Sequence, residues 1–213
     1  MLKPLRTDED YNGYVKDFYR KIEDYDWVKV VDCHIGLESH LHRYRERRIK
    51  QLVSQYGAGQ KFLDVGCGTG LVLRHLPEGS VGIDLNPRHL ERAKRHAPKA
   101  VVQQSDAESL PFADTSFDTV VCTEVLEHLV FPEKAVAEIF RVLKPGGRFI
   151  GSTPSRSLLW RFRFLSSTHL HNEPFHNEFR RNELTELLSP LKTLFLRRDF
   201  LWSTFFFVCE KTS

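Results

Sequence analysis

Three aspartates, each closing a short apolar run, are the residues whose types and spacing point most directly to chemistry. Asp64 stands two positions ahead of a glycine-rich turn, Asp64-Val65-Gly66-Cys67-Gly68-Thr69-Gly70. Asp84 ends the run Gly82-Ile83-Asp84-Leu85, and Asp106 follows in Ser105-Asp106-Ala107. Closely spaced glycines remove side chains and let backbone approach a ligand. A dinucleotide site would space them GxGxxG. Here the pattern is GxGxG and position 71 is leucine. A pyrophosphate is repelled by a carboxylate next to its loop, whereas a ligand carrying ammonium and sulfonium charge is drawn to one. Asp84 could accept both hydroxyls of a ribose while excluding a 2′-phosphate. Asp106 could accept from the exocyclic amine of adenine, with the Ala107 N–H reading the ring. Taken singly, the turn could be merely structural and each acid a helix cap or surface residue. Three acids in order, at three successive strand ends, are a sharper signal. The expected cofactor contacts are Asp64, Gly66, Cys67, Gly68, Asp84, Leu85, Asp106 and Ala107, with Glu124 from the next motif.

That motif is Thr123-Glu124-Val125-Leu126-Glu127-His128. On a helical turn, Glu124, Glu127 and His128 would share one face at i, i+3 and i+4. Two carboxylates and an imidazole can bind a divalent metal. Without metal, His128 could serve as a base or substrate contact, with Glu124 lining the cofactor and Glu127 positioning a turn. His176 is the second candidate catalytic residue and the nearest candidate for a fourth metal ligand, with His171 next. The metal candidates are therefore Glu124, Glu127, His128 and His176, and the metal-free reading is favoured.

These residues must be positioned by alternating strands and helices. Strands are expected at 61–67, 80–85, 100–104, 117–123 and 148–153. Helices are expected at 70–75, 87–96 and 132–143, with Pro145-Gly146-Gly147 as a stop. Such alternation predicts a parallel sheet with right-handed crossovers. A helix over 181–188 with Asn182 as N-cap, then strands over 191–200 and 202–210, predict an antiparallel hairpin at the sheet edge. Residues from about 11 to 56 have helical periodicity, with Tyr14, Phe18 and Ile22 on one stripe.

The segments FLDVGCGTG, VGIDLNP, QSDAESLPFADTSFDTVVCTEVLEHL and RVLKPGGRF resemble the successive motifs of class I S-adenosylmethionine-dependent methyltransferases. The branch most resembled includes the ubiquinone- and menaquinone-biosynthesis enzymes. The resemblance covers residues 61–153. It implies an α/β, Rossmann-like, doubly wound seven-stranded sheet, mostly parallel with an antiparallel C-terminal hairpin. It also implies the cofactor roles of Gly66, Gly68, Asp84 and Asp106. The ExxEH spacing is similar to that of metal-dependent small-RNA 2′-O-methyltransferases and of quinol O-methyltransferases, although the flanking residues depart from both.

The acceptor would be chosen outside the matched region. Residues 1–56 are expected to form a helical segment over the cleft, and 57–213 the methyltransferase domain with 154–180 as a substrate-facing lid. Within that lid, Trp160-Arg161-Phe162-Arg163-Phe164 could stack on bases, hold a flat aromatic acceptor, touch a lipid surface, or simply pack. Arg43 or Arg45 could pair with the cofactor's carboxylate. The net charge of +3 over 213 residues is too small to imply nucleic acid. No apolar run suggests a membrane span, and MLKPLRTDEDY lacks a signal-peptide core. Four scattered cysteines without a CxxC pair suit a reducing cytoplasm. The expected activity is methyl transfer to a small molecule, at oxygen. RNA 2′-O-methylation and quinone- or lipid-directed C-methylation are the alternatives.

Overall fold

The computed structural model describes residues 9–22, 26–33, 36–156, 174–199 and 203–212. Three helices precede the sheet: α1 (Glu9–Lys21), α2 (Trp27–Asp32) and α3 (Gly36–Tyr56). The helical stretch read from the sequence is thus divided. Asp26 caps α2 by accepting from the Lys29 amide at 3.4 Å, a bond that favours a new start over a continuous helix.

Strand and helix then alternate as β1 (Phe62–Val65), β2 (Val81–Asp84), α4 (Pro87–His96), β3 (Val101–Gln104), β4 (Phe117–Thr123), α5 (Pro132–Val142) and β5 (Leu143–Pro154). The chain closes with α6 (Arg181–Leu187), β6 (Lys192–Asp199) and β7 (Thr204–Glu210). Seven strands lie in the order β3-β2-β1-β4-β5-β7-β6. The first five pair in parallel; β7 is antiparallel to β5, and β6 to β7. This is the parallel sheet that the alternation predicts, with the edge hairpin expected from residues 191–210 and the doubly wound form that the resemblance implies. Strand order reverses between β1 and β4, the place where such sheets bind ligands at their carboxyl ends.

The central strands are apolar on both faces because both faces are covered. Val136 and Ile139 of α5, with Leu184 of α6, pack one face against Val120, Phe149 and Phe207. Ile49 and Leu52 of α3 pack the other against Val121, Ile150, Phe206 and Val208. Among the described residues, no helix is long and apolar enough to cross a membrane.

Three local expectations are corrected. The helix expected at 70–75 is a series of turns ending in a 3₁₀ turn at Leu73–His75, because Gly70 is left-handed at φ +91 and cannot begin a helix. The Pro145-Gly146-Gly147 turn does not separate helix from strand. β5 already begins at Leu143 and carries the turn as an irregularity between the pairs Phe117↔Leu143 and Thr119↔Arg148. α6 is capped at Arg180, whose amide donates to Glu183 Oε2 at 2.8 Å, so Asn182 falls inside the first turn. Within the expected 154–180 lid, residues 157–173 lie outside the described residues. These include Trp160, Arg161, Phe162, Arg163, Phe164, His169 and His171.

Gly151 of β5 sits where the sheet leaves no room. A Cβ there would lie 2.4 Å from the Phe207 ring and 2.5 Å from the Cys122 carbonyl oxygen. Backbone on one side and a fully buried ring on the other cannot both yield cheaply. Gly151→Ala is expected to destabilise the fold by about 1–3 kcal/mol, read as a lower denaturant midpoint at unchanged slope. An unchanged midpoint would contradict this packing.

Candidate active site

β1 delivers Asp64 and then the glycine turn. Gly66, Gly68 and Gly70 have φ of +69, +52 and +91. A Cβ on Gly66 would lie 2.3 Å from Val125 Cγ2, so the loop after β1 runs directly against the segment after β4. One carboxylate ties this loop to the next. Asp84 Oδ2 accepts from the Gly68 amide at 2.9 Å, and Oδ1 from the Asn86 amide at 2.8 Å. The Asn86 side chain caps α4, accepting from the Arg88 amide at 2.9 Å, with Pro87 set for the first turn. Its Nδ2 donates to the Tyr19 and Ile22 carbonyls at 3.2 and 2.7 Å, fixing the end of α1 to the start of α4. Leu85 also lies here, its carbonyl accepting from Gln104 Nε2 at 2.8 Å. Cys67 is buried against Leu73 and Leu90, and burial pushes its thiol well above the usual range. Its side chain is therefore packing, while its amide bonds the Ile83 carbonyl at 2.8 Å.

Asp64 is 1% exposed, and neither of its oxygens has a well-formed hydrogen bond in the protein. Burial, then the nearby Asp84 charge, raises its pKa to about 8 against a small opposing influence of the Leu73 amide. A buried carboxylate without a partner is costly and calls for a missing ion or ligand. Beside three left-handed glycines at a strand's carboxyl end, it fits a ligand that brings a cationic group and tolerates close backbone.

Asp106 does not stand open. Lys16 Nζ of α1 lies 2.6 Å from its Oδ2 and 2.7 Å from Glu108 Oε2, and the Glu108 amide donates to Asp106 Oδ1 at 2.9 Å. Asn12 Nδ2 adds a bond to Glu108 at 2.9 Å. A lysine ammonium thus sits where the exocyclic amine was expected to bind, and an incoming amine would share or displace it. Ala107 is 8% exposed and belongs to the core on its side-chain side. At the glycine turn, the Trp27 ring of α2 would be 3.5 Å from a Cβ on Gly68, and it packs on the His42 ring at a centroid distance of 4.7 Å. Burial and Arg45 depress His42 to a pKa of about 3, so it stays neutral.

The segment after β4 corrects the expectation of one helical face. Glu124 is left-handed at φ +55, a conformation rare and strained for a residue other than glycine. Only Leu126–His128 form a turn of 3₁₀ helix. The three side chains consequently diverge. Glu124 accepts from Ser152 Oγ at 2.8 Å and pairs with Arg45 of α3 at 3.2 Å. Glu127 is buried under Thr153, whose Oγ1 donates to it at 3.1 Å, and burial raises its carboxyl. His128, with its side chain 28% exposed, keeps Nε2 3.9 Å from Glu127 Oε1 and Nδ1 2.9 Å from the Tyr19 hydroxyl. His176 stacks edge-on at 5.3 Å between ring centroids. Among the described residues, no group of three or more His, Cys, Asp or Glu side chains is arranged to hold a metal. Of the two arginines named from the sequence, Arg45 reaches the site, whereas Arg43 bonds the Ser39 carbonyl and His40 within α3.

Lys16, Tyr19, Trp27, Asn86 and Ser152 were not legible as site residues. Only Asn86-Pro87 carried a local signal, that of a helix cap. The others reach the site through tertiary packing of α1, α2 and β5.

The fold and these strand-end residues define a Rossmann-like methyltransferase domain. Residues 63–151 match the family described as the methyltransferase domain. An uncharacterised methyltransferase of Synechocystis sp. is 33% identical over 150 residues, which is 64% of this chain and 68% of that protein. The ubiquinone biosynthesis O-methyltransferase of Klebsiella pneumoniae is 34% identical, covering 55% of this chain and 52% of its own. The 24-methylenesterol C-methyltransferase 2 of Arabidopsis thaliana is 34% identical over 70% of this chain and 45% of its own. A solved protein of Pyrococcus horikoshii shares the fold with a TM-score of 0.70 at 22% identity, covering 92% of this chain and 99% of that one. The chain belongs to the S-adenosylmethionine-dependent methyltransferase family. It spans about half the length of several of the curated relatives it matches.

The raised pKa of Asp64 makes a signed prediction. Below its ordinary pKa of 3.8, folded and unfolded chains both hold the proton and the group is neutral to stability. As pH rises toward the folded value near 8, only the unfolded chain ionises and stability falls; above it the full penalty remains. Asp64→Asn is therefore expected to raise the Tm of the ligand-free protein more at about pH 9 than at about pH 5. Thermal melts across this range check it, and a gain that is flat or shrinks with pH would contradict the assignment.

Proposed function

We propose that the chain transfers the methyl group of S-adenosylmethionine to the oxygen of a small-molecule acceptor. The observation that carries the reading is the buried, unpartnered Asp64 beside the glycine turn, within one carboxylate bridge of Asp84 and across the switch point from His128. The cofactor supplies an already activated methyl group on a sulfonium, so the protein must hold, align and exclude water rather than activate the donor.

On this reading Asp64 faces the ammonium, Asp84 the ribose, and Asp106 with Ala107 the adenine. Glu124 and Arg45 line the methionine end. An acceptor hydroxyl must lose its proton as the new bond to carbon forms. His128, partly exposed at the carboxyl end of β4, takes that proton at Nε2. The helices α1 and α2 cover the cofactor: Lys16 reaches the loop after β3 and the Trp27 ring lies next to the glycine turn. On the same reading the described residues 174–180 lie on the acceptor side, where His176 sits beside His128. The relatives named above include an O- and a C-methyltransferase. The choice of oxygen rests on the partly exposed imidazole of His128, suited to one proton from a phenol-like hydroxyl. The four cysteines are free thiols, which suits a reducing cytoplasm. The grounds for an RNA acceptor weaken once Glu124, Glu127 and His128 no longer share a face.

Calorimetric titration with S-adenosylmethionine is expected to show saturable binding, and its absence at high micromolar cofactor would remove the reading. Asp84→Ala is expected to weaken that binding by about 1–3 kcal/mol. Incubation with methyl-¹³C cofactor and a panel of catechols and hydroquinones is expected to give methoxy carbon signals; ring-methyl signals instead would refute oxygen as the acceptor.

A further inference from the structure

Lys16 of α1 sits between two carboxylates just past the end of β3. Its Nζ lies 2.6 Å from Asp106 Oδ2 and 2.7 Å from Glu108 Oε2. The two contacts differ in setting: the Asp106 side chain is 27% exposed, whereas that of Glu108 is 3% exposed. The other Asp106 oxygen already accepts from the Glu108 amide at 2.9 Å. Asn12 Nδ2 donates to Glu108 Oε2 at 2.9 Å. A carboxylate only accepts, so Asn12 must turn its nitrogen, not its oxygen, toward Glu108.

Two buried acceptors beside the lysine are left over. Glu108 Oε1 and Asn12 Oδ1 have no hydrogen-bond partner among the described residues. The first belongs to the carboxylate that already holds Lys16, and the second to the amide bonded to that carboxylate. An ammonium has three N–H donors, and Lys16 uses two of them on Asp106 and Glu108. On leaving Asp106, the lysine would therefore find acceptors for the freed donor beside its present seat. Buried acceptors without a donor gain most from receiving one.

We propose that Lys16 guards the base subsite: it occupies Asp106 in the free protein and withdraws onto Glu108 when the exocyclic amine of the cofactor's adenine takes Asp106 Oδ2. This rests on the reading of Asp106 given above. Amine and ammonium both present positive hydrogens, so sharing one oxygen sets them against each other. The helix stays in place, because α1 has other fastenings. Glu9 pairs with Lys134 of α5 at 2.7 Å, the Tyr11 hydroxyl donates to the Pro174 carbonyl at 2.7 Å, and Asn86 holds the carbonyls of Tyr19 and Ile22. One side chain thus moves beneath a fixed cover. Forming the amine–carboxylate bond then requires breaking one ion pair, so Lys16 sets how strongly the adenine amine is read.

The advantage conferred by the amine is measured by calorimetry with S-adenosylhomocysteine and with its analogue that carries hydrogen in place of the exocyclic amine. In the wild type the amine must displace Lys16, which reduces that advantage. Lys16→Met removes the competing charge and keeps an unbranched side chain. The affinity ratio of the two ligands is expected to rise about two- to fivefold, the scale of one partly exposed ion pair. The ratio cancels any general effect of the substitution on the fold or on the rest of the ligand. A ratio that stays the same or falls would overturn the proposal and leave cofactor binding in place. Failure of S-adenosylhomocysteine to bind the wild type would instead remove the reading of the site, and the exchange with it. If Lys16→Met does not fold, a crystal structure of the wild-type complex decides. Lys16 bonded to Glu108 and away from Asp106 is the expected result, and Lys16 still within hydrogen-bond distance of Asp106 Oδ2 overturns it.

Discussion

The carboxylate of Asp84 joins two loops that the sheet alone would leave independent. It accepts from Gly68 after β1 and from Asn86 after β2, and neither loop has regular structure to hold it in place. Asn86 passes the constraint on, capping α4 with its side-chain oxygen and fixing α1 with its side-chain nitrogen. The cleft therefore has a rigid floor built from short-range bonds and a cover whose position depends on that floor. A group that binds backbone amides with both oxygens is also poorly free to wander, which suits recognition of a ligand's hydroxyls.

Burial concentrates electrostatic cost in the same place. Asp64 near the end of β1 and Glu127 in the turn after β4 both have raised pKa values, caused first by loss of water. Glu127 has Thr153 to bond; Asp64 has no such partner. Proteins rarely retain a buried carboxylate in that condition unless something else completes it. The strained backbone of Glu124 has a similar character, since it gives up a helical turn to aim one carboxylate at Ser152 and Arg45.

The α1–α3 region shows how little a helical stripe says about what it covers. Periodicity marks residues 11–56 as helical because apolar side chains recur every third or fourth position. It does not say that Lys16 falls on Asp106, that Tyr19 falls on His128, or that Trp27 lies over Gly68. Those contacts span from 41 to 109 residues of chain. They depend on where the first helices are docked, which is set by Asn86 and by the Arg74 clamp on Asp32 and Glu46.

The alternation of strands and helices, the glycine turn and the acids at three strand ends were legible in the sequence, because each is imposed by local chemistry: alternating apolar runs, glycines able to take positive φ, and carboxylates at fixed offsets from a strand's end. Tertiary structure alone decided how Glu124, Glu127 and His128 face. Helical spacing put them together, but the left-handed backbone at Glu124, bonded through its amide to the Ser152 carbonyl on β5, sends them apart. It also decided which acid is bonded, which is shared with Lys16 and which is left unpartnered. Those outcomes depend on burial and on partners distant in the chain, and neither is written in the spacing of the residues themselves.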